Sequence, residues 1–191
     1  PGVRLDIHTD KKNIAQIGVV GEGAVPTSSS LTTETQEFEK TPGYQSLGAY
    51  FKYTGNVLEY NGRALYYAYS DLPIAVATPS GLLGNSTEST SGTNTKFIYE
   101  YKGYQADSNI KWHVNKSWAL GINGAWLRNK EAPQDLNQGI LSNAYTEIQT
   151  TKNLLIKPFY IYYRIEPDAT VAKYNDDGYN TNRTGYRTGM S

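Results

Sequence analysis

The sequence predicts an all-β chain of about eight long antiparallel strands, up and down in order, and three observations predict it. Period-2 alternation of apolar and polar residues recurs along most of the 191 residues. Several alternating runs reach about ten residues, longer than the ~5–6 residues usual for a globular strand. The connections between them alternate between short turns and long polar loops. The stretch Tyr104–Arg128 shows the pattern best: Tyr104, Ala106, Ile110, Trp112 and Val114 face one way, and Gln105, Asp107, Asn109, Lys111 and His113 the other. After Asn115-Lys116-Ser117 the alternation resumes with Trp118, Leu120, Ile122 and Trp126, which reads as a hairpin with one apolar face.

Composition bounds the function. No run of ~18 apolar residues is present, so helical membrane spans are excluded, a test that amphipathic strands escape. The rings are 17 Tyr and 3 Trp against 4 Phe, so most carry a polar tip suited to a membrane–water boundary or a sugar-binding face. With no cysteine, a disulfide framework and thiolate metal sites are excluded. Lys plus Arg equals Asp plus Glu at 18 each, which gives no basic signal for nucleic acid.

Taken in order, Val3, Leu5 and Ile7 alternate with Arg4, Asp6 and His8, and after the polar turn Thr9–Asn13 a second strand runs through Ala15, Ile17 and Val19. Gly18, Gly21 and Gly23 resemble a phosphate loop only loosely, because no helix pattern follows, and read as strand glycines. Pro26–Gly43 is a long polar loop. Leu47, Ala49, Phe51, Tyr53 and Val57 then alternate with polar residues up to Tyr60, and Asn61-Gly62 predicts a type I′ turn into a strand through Leu65, Tyr67 and Tyr69. A second long loop spans Thr78–Thr95. The alternation of Phe97, Tyr99 and Tyr101 changes phase at Gly103, where a β-bulge is expected before the Tyr104–Arg128 hairpin.

A third long loop follows over Asn129–Ala144. The last long strand is read over Glu147–Ile165, with a second phase change and expected bulge at Lys157-Pro158. Glu166–Asp168 makes a short turn into a return strand starting at Thr170. Two units result: strands and loops over 1–175, and an irregular polar tail over 176–191.

Long strands joined alternately by short turns and long polar loops resemble a bacterial outer-membrane β-barrel of the porin type, by architecture rather than by any family motif. The resemblance implies an antiparallel up-and-down transmembrane β-barrel acting as a passive channel for small hydrophilic solutes in the bacterial outer membrane, with the lipid bilayer as partner, no cofactor and no enzymatic activity. Trp112, Trp118 and Trp126 are then membrane-interface aromatics, ~20 Å apart across the bilayer for eight residues at ~3.3 Å and a ~40° tilt. Lys52, Glu100, Lys102, Asp107, Lys111, His113 and Arg164 are the expected pore-lining residues, and Tyr50, Tyr66, Tyr160 and Tyr162 fall on the same inward rows.

The first strand begins and the last ends on the long-loop side, whereas such barrels keep both termini on the short-turn side, and no aromatic residue ends the chain. The sequence therefore reads as a segment of a larger barrel completed by further strands or subunits, with a self-contained eight-strand barrel as the alternative. A non-conducting anchor or adhesin, a soluble carbohydrate-binding β-sandwich and a pore-forming toxin are the other readings weighed. Catalysis has little support. His8 and His113 each adjoin a short turn, while outer-membrane proteases of this architecture work on the long-loop side, and no His/Cys metal cluster is available. The sequons at Asn85, Asn115 and Asn182 are matches of the kind chance produces.

Overall fold

The computed structural model describes residues 2–11, 15–24, 42–72, 77, 80–91, 94–152, 154–172 and 181–190. Twelve strands are present among them: β1 (Gly2–Lys11), β2 (Ala15–Ala24), β3 (Gly43–Thr54), β4 (Leu58–Ser70), β5 (Thr87–Ser91), β6 (Asn94–Phe97), β7 (Lys102–Asn115), β8 (Trp118–Asn129), β9 (Gln138–Thr151), β10 (Leu154–Ile156), β11 (Pro158–Ile165) and β12 (Arg183–Met190). The main sheet is an antiparallel meander in the order β1-β2-β3-β4-β7-β8-β9-β11-β12, with β10 also on β9, and β5-β6 form a separate two-stranded sheet. Among the described residues the sheet does not close into a barrel: its path runs from β1 to β12, with those two strands as its edges.

Pleating puts alternate residues on opposite faces, and the register extends each face across the sheet. One face, called inner below, bears Val20, Leu65, Tyr67, Ala119, Tyr145 and Ile165, all buried. The outer face bears Ile17, Val19, Leu47, Phe51, Ile110, Trp112, Ile122 and Ile140, all largely exposed, Leu47 at 64%. Glycines let inner-face rings lie flat on the neighbouring strand. Tyr145 sits over Gly121, where an added Cβ would overlap the ring, and Tyr163 covers Gly185 in the same way.

Several expectations are corrected. The turn between β3 and β4 is at Gly55–Val57, closed by Gly55 N–H donating to the Leu58 carbonyl at 2.9 Å, and Asn61-Gly62 lies inside β4 opposite Lys52 and Phe51. Neither residue takes the positive φ that a type I′ turn requires. At Gly103 there is no bulge. The segment Asn94–Phe97 belongs to the β5-β6 hairpin, and the chain leaves that sheet before entering β7, so the phase change marks a passage between two sheets.

The Glu147–Ile165 stretch is likewise a hairpin, β9 turning into β10-β11 just after Thr151. From Leu155 to Ile165 its register is constant across Lys157-Pro158, so no bulge lies there, and the irregularity falls between Leu154 and Leu155. The apolar set simply moves to the inner face, where Phe159, Ile161, Tyr163 and Ile165 stand. Half of the expected Asn129–Ala144 loop is strand β9. Thr170–Ala172 is not strand, and the remainder of that expected strand, like the 25–41 loop, lies outside the described residues. The polar tail contains β12, paired with β11 over its whole length.

Candidate functional site

The inner face is built in rows that run across the strands. One row is Gln16, Lys52, Asn61, Asn109, Asn123, Asn143, Ile161 and Arg187, on β2, β3, β4, β7, β8, β9, β11 and β12. Four of these are asparagines on adjacent strands, and Asn109 Nδ2 donates to Asn123 Oδ1 at 2.6 Å. An amide is both donor and acceptor, so such a row presents hydrogen-bonding groups with no net charge.

Ion pairs flank the asparagine row on both sides. Toward the long-loop end, Arg63 on β4 meets Asp107 on β7 at 2.9 Å and Glu22 on β2 at 3.9 Å. Toward the short turns, Lys111 on β7 reaches Glu147 on β9 at 2.6 Å, passing over β8 where Ala119 and Gly121 offer no long side chain. Glu147 also holds Lys157 at 3.3 Å, and that ammonium sits 4.0 Å from the centre of the Tyr145 ring. His113 Nε2 lies 2.6 Å from Glu59 Oε1. Partly exposed pairs contribute only about 0–1 kcal/mol each to stability, so their main effect is to shape the field along this face.

Of the seven residues expected to line a pore, Lys52, Asp107, Lys111 and His113 share the inner face. The other three do not. Arg164 pairs in register with Ile140 on the outer face and turns to Glu166 at 2.9 Å. Lys102 is on the outer face opposite Ala68, at the long-loop end. Glu100 lies in the segment between β6 and β7, exposed, and its ion pair with Lys102 holds the carboxyl below its ordinary value. Tyr50 faces inward, but Tyr66, Tyr160 and Tyr162 are on the outer face, because β4 and β11 turn their odd-numbered apolar residues, Leu65 and Tyr67 in one and Phe159 and Ile161 in the other, to the inner face. Sequence reasoning missed Arg63, Glu59, Glu22 and Glu147, which complete the ion pairs, because partners on different strands are brought together only by register.

The three tryptophans are all on the outer face, Trp112 opposite Leu120, Trp118 opposite Ile148 and Trp126 opposite Ala106. Between the Tyr66–Tyr104 level, where the two rings meet edge to face at 5.6 Å, and the Trp112 level, the described outer face of β2 to β9 carries no ionisable side chain other than tyrosine. Eight residues of β7 separate these levels, ~20 Å along the normal at ~3.3 Å per residue and a ~40° tilt. A groove of about 690 Å³ crosses this face on a floor of small residues that includes Ala49, Gly62, Ala106, Ser108 and Gly124. Toward β12 the face changes to Tyr160, Tyr162, Tyr186, Thr184 and Thr188, with Tyr160 and Tyr186 stacked at 6.4 Å.

At the long-loop end a second cluster gathers over the inner face. Asp168 is wholly buried, and its Oδ1 accepts from the Tyr101 hydroxyl and the Ser86 N–H, each at 2.9 Å. Burial, and then the neighbouring Asp168 carboxyl, raise the Tyr101 phenol well above its ordinary value. Among the described residues no group of three or more His, Cys, Asp or Glu could hold a metal ion. Comparison with protein-family models, with curated proteins and with solved structures returned no match.

Proposed function

We propose that this sheet is the wall of a transmembrane β-barrel of the bacterial outer membrane, working as a porin-like channel for passive diffusion of small hydrophilic solutes. The observation that carries the reading is the contrast between the faces: an uncovered apolar band between two aromatic levels outside, and rows of amides and ion pairs inside. An apolar band spanning six strands exceeds the few hundred Å² that soluble monomers leave bare. Its height approaches the ~25 Å apolar band of outer-membrane barrels. In lipid every backbone N–H and C=O needs a partner, so the edges at β1 and β12 take further strands, from the same protein or another subunit. The inner face then meets water, and its paired charges and amides solvate a passing solute.

The test is the detergent requirement. The chain is expected to partition into detergent or vesicles, to show heat-modifiable gel mobility and to give conductance steps in a planar bilayer. A compact monodisperse monomer in plain buffer would overturn the membrane reading.

A further inference from the structure

The segment that follows β11 does not return along the wall but is drawn across the inner face at its long-loop end. Its attachments progress strand by strand. Asp168 N–H donates to the Leu136 carbonyl at 2.8 Å beside β9, Asn129 Nδ2 at the end of β8 donates to the Asp168 carbonyl at 3.0 Å, and the Tyr101 hydroxyl beside β7 donates to the Asp168 carboxyl. The hydroxyl of Tyr67, an inner-face residue of β4, donates to the Ala169 carbonyl at 3.2 Å. From β11 to β4 is four strand spacings, ~19 Å at ~4.8 Å each.

From the other side Asn85 clamps the same segment. Its Nδ2 donates to the Pro167 carbonyl at 2.6 Å and to the Thr170 carbonyl at 2.8 Å, and its Oδ1 accepts from Ala172 N–H at 2.8 Å. Ala169, Val171 and Ala172 are buried, with Val171 packed on Tyr101 against Tyr69, Leu72 and Phe97. Backbone so placed, with its carbonyls taken by side chains from both sides, is a built element of the fold.

We infer that residues 166–172 are a strap that closes the long-loop mouth of the inner face at rest, with Asn85 and Asn129 as its clasps and solute passage requiring its release. This rests on the channel reading. The strap lies across the path from the long-loop side to the asparagine row; Asn85 makes three bonds to it that are lost together when it lifts, and Asn129 makes one, to the Asp168 carbonyl.

The test compares wild type with Asn85→Ala, and with Tyr67→Phe as the milder variant that removes one hydroxyl and keeps the ring, each refolded into vesicles and planar bilayers. Loss of several bonds at ~1 kcal/mol each gives about a tenfold or greater rise in open probability for Asn85→Ala, and a smaller rise for Tyr67→Phe. Because the chain has no cysteine, Ala172→Cys supplies a second readout that needs no channel activity. A water-soluble maleimide is expected to label it slowly in the wild-type background and about tenfold faster beside Asn85→Ala. Equal conductance and equal labelling in folded wild type and variants would overturn the strap. Faster labelling with both proteins silent in bilayers would overturn its role as a gate and the channel reading with it, and failure to enter lipid at all would overturn the membrane reading and, with it, the gate.

Discussion

Replacing Ile122 by lysine separates a lipid-facing wall from a water-facing one. Ile122 is 59% exposed at the centre of the outer face, between Ile110 on β7 and Ala144 on β9, and four residues from both Trp118 and Trp126. Each tryptophan level is then ~10 Å away at ~3.3 Å per residue and a ~40° tilt, which on the proposed barrel reading would put Ile122 near the membrane midplane. A lysine at that depth of a barrel costs about 2–4 kcal/mol, falling to about 0–1 kcal/mol near the interface. On a water-exposed surface the same change stays within about 0.5 kcal/mol.

The assay is urea unfolding from lipid vesicles, followed by fluorescence of the three outer-face tryptophans. Gln138→Lys, at the long-loop edge of the face beside Arg128, is the depth control. A loss of about 2–4 kcal/mol for Ile122→Lys, against less than about 1 kcal/mol for Gln138→Lys, is expected. Equal small effects in two folded variants would refute the placement of this face in lipid.

Other expectations follow from the same geometry. Gly103→Ala pushes a Cβ into the Arg128 carbonyl and is expected to cost about 1–3 kcal/mol, while Gly124→Ala, with only the Leu141 carbonyl at 3.9 Å, stays near neutral in the same urea titration. Arg63→Gln removes the cation that lies beside both Asp107 and Glu22. Because the pair is partly exposed, stability falls by only about 1 kcal/mol, but the reversal potential across a salt gradient shifts toward cations. The raised phenol of Tyr101, which faces Asp168 and Tyr67, favours the protonated form in the fold. Its stabilisation is complete below the unfolded value of about 10 and is lost as pH rises above it. Thermal melts across that range should therefore fall for wild type, and Tyr101→Phe should remove that part of the slope.

Much of the wall was legible because period-2 alternation registers any strand whose two faces differ strongly. The β7-β8 hairpin qualifies, with Trp112, Leu120 and Ile122 outside and Lys111, Asn109 and Asn123 inside. The beginning of β9 escaped because both of its faces are mixed: Gly139, Leu141 and Asn143 inside, Ile140, Ser142 and Ala144 outside. Asn61-Gly62 has turn chemistry, yet in β4 the pair fills two places that suit it, Asn61 in the asparagine row and Gly62 under the Tyr60 ring. Arg164 was misplaced by assuming that apolar residues always face outward, an assumption that β11 reverses. The strap was not legible at all. Its anchors, Asn85, Tyr101, Asn129 and Asp168, are single polar residues far apart in sequence, and only the fold brings them together.

The ion pairs that skip a strand also set the shape of the wall. Lys111 and Glu147 stand on strands separated by β8, as Arg63 and Glu22 are separated by β3, so their backbones are two spacings apart, ~10 Å in a flat sheet. Each attraction works as a brace across the intervening strand. It shortens when the sheet bends toward the inner face and lengthens when it bends away. The sign of the curvature is thus encoded in side-chain charge as well as in backbone twist, and small residues at Ala119 and Gly121 keep the gap that one brace must cross.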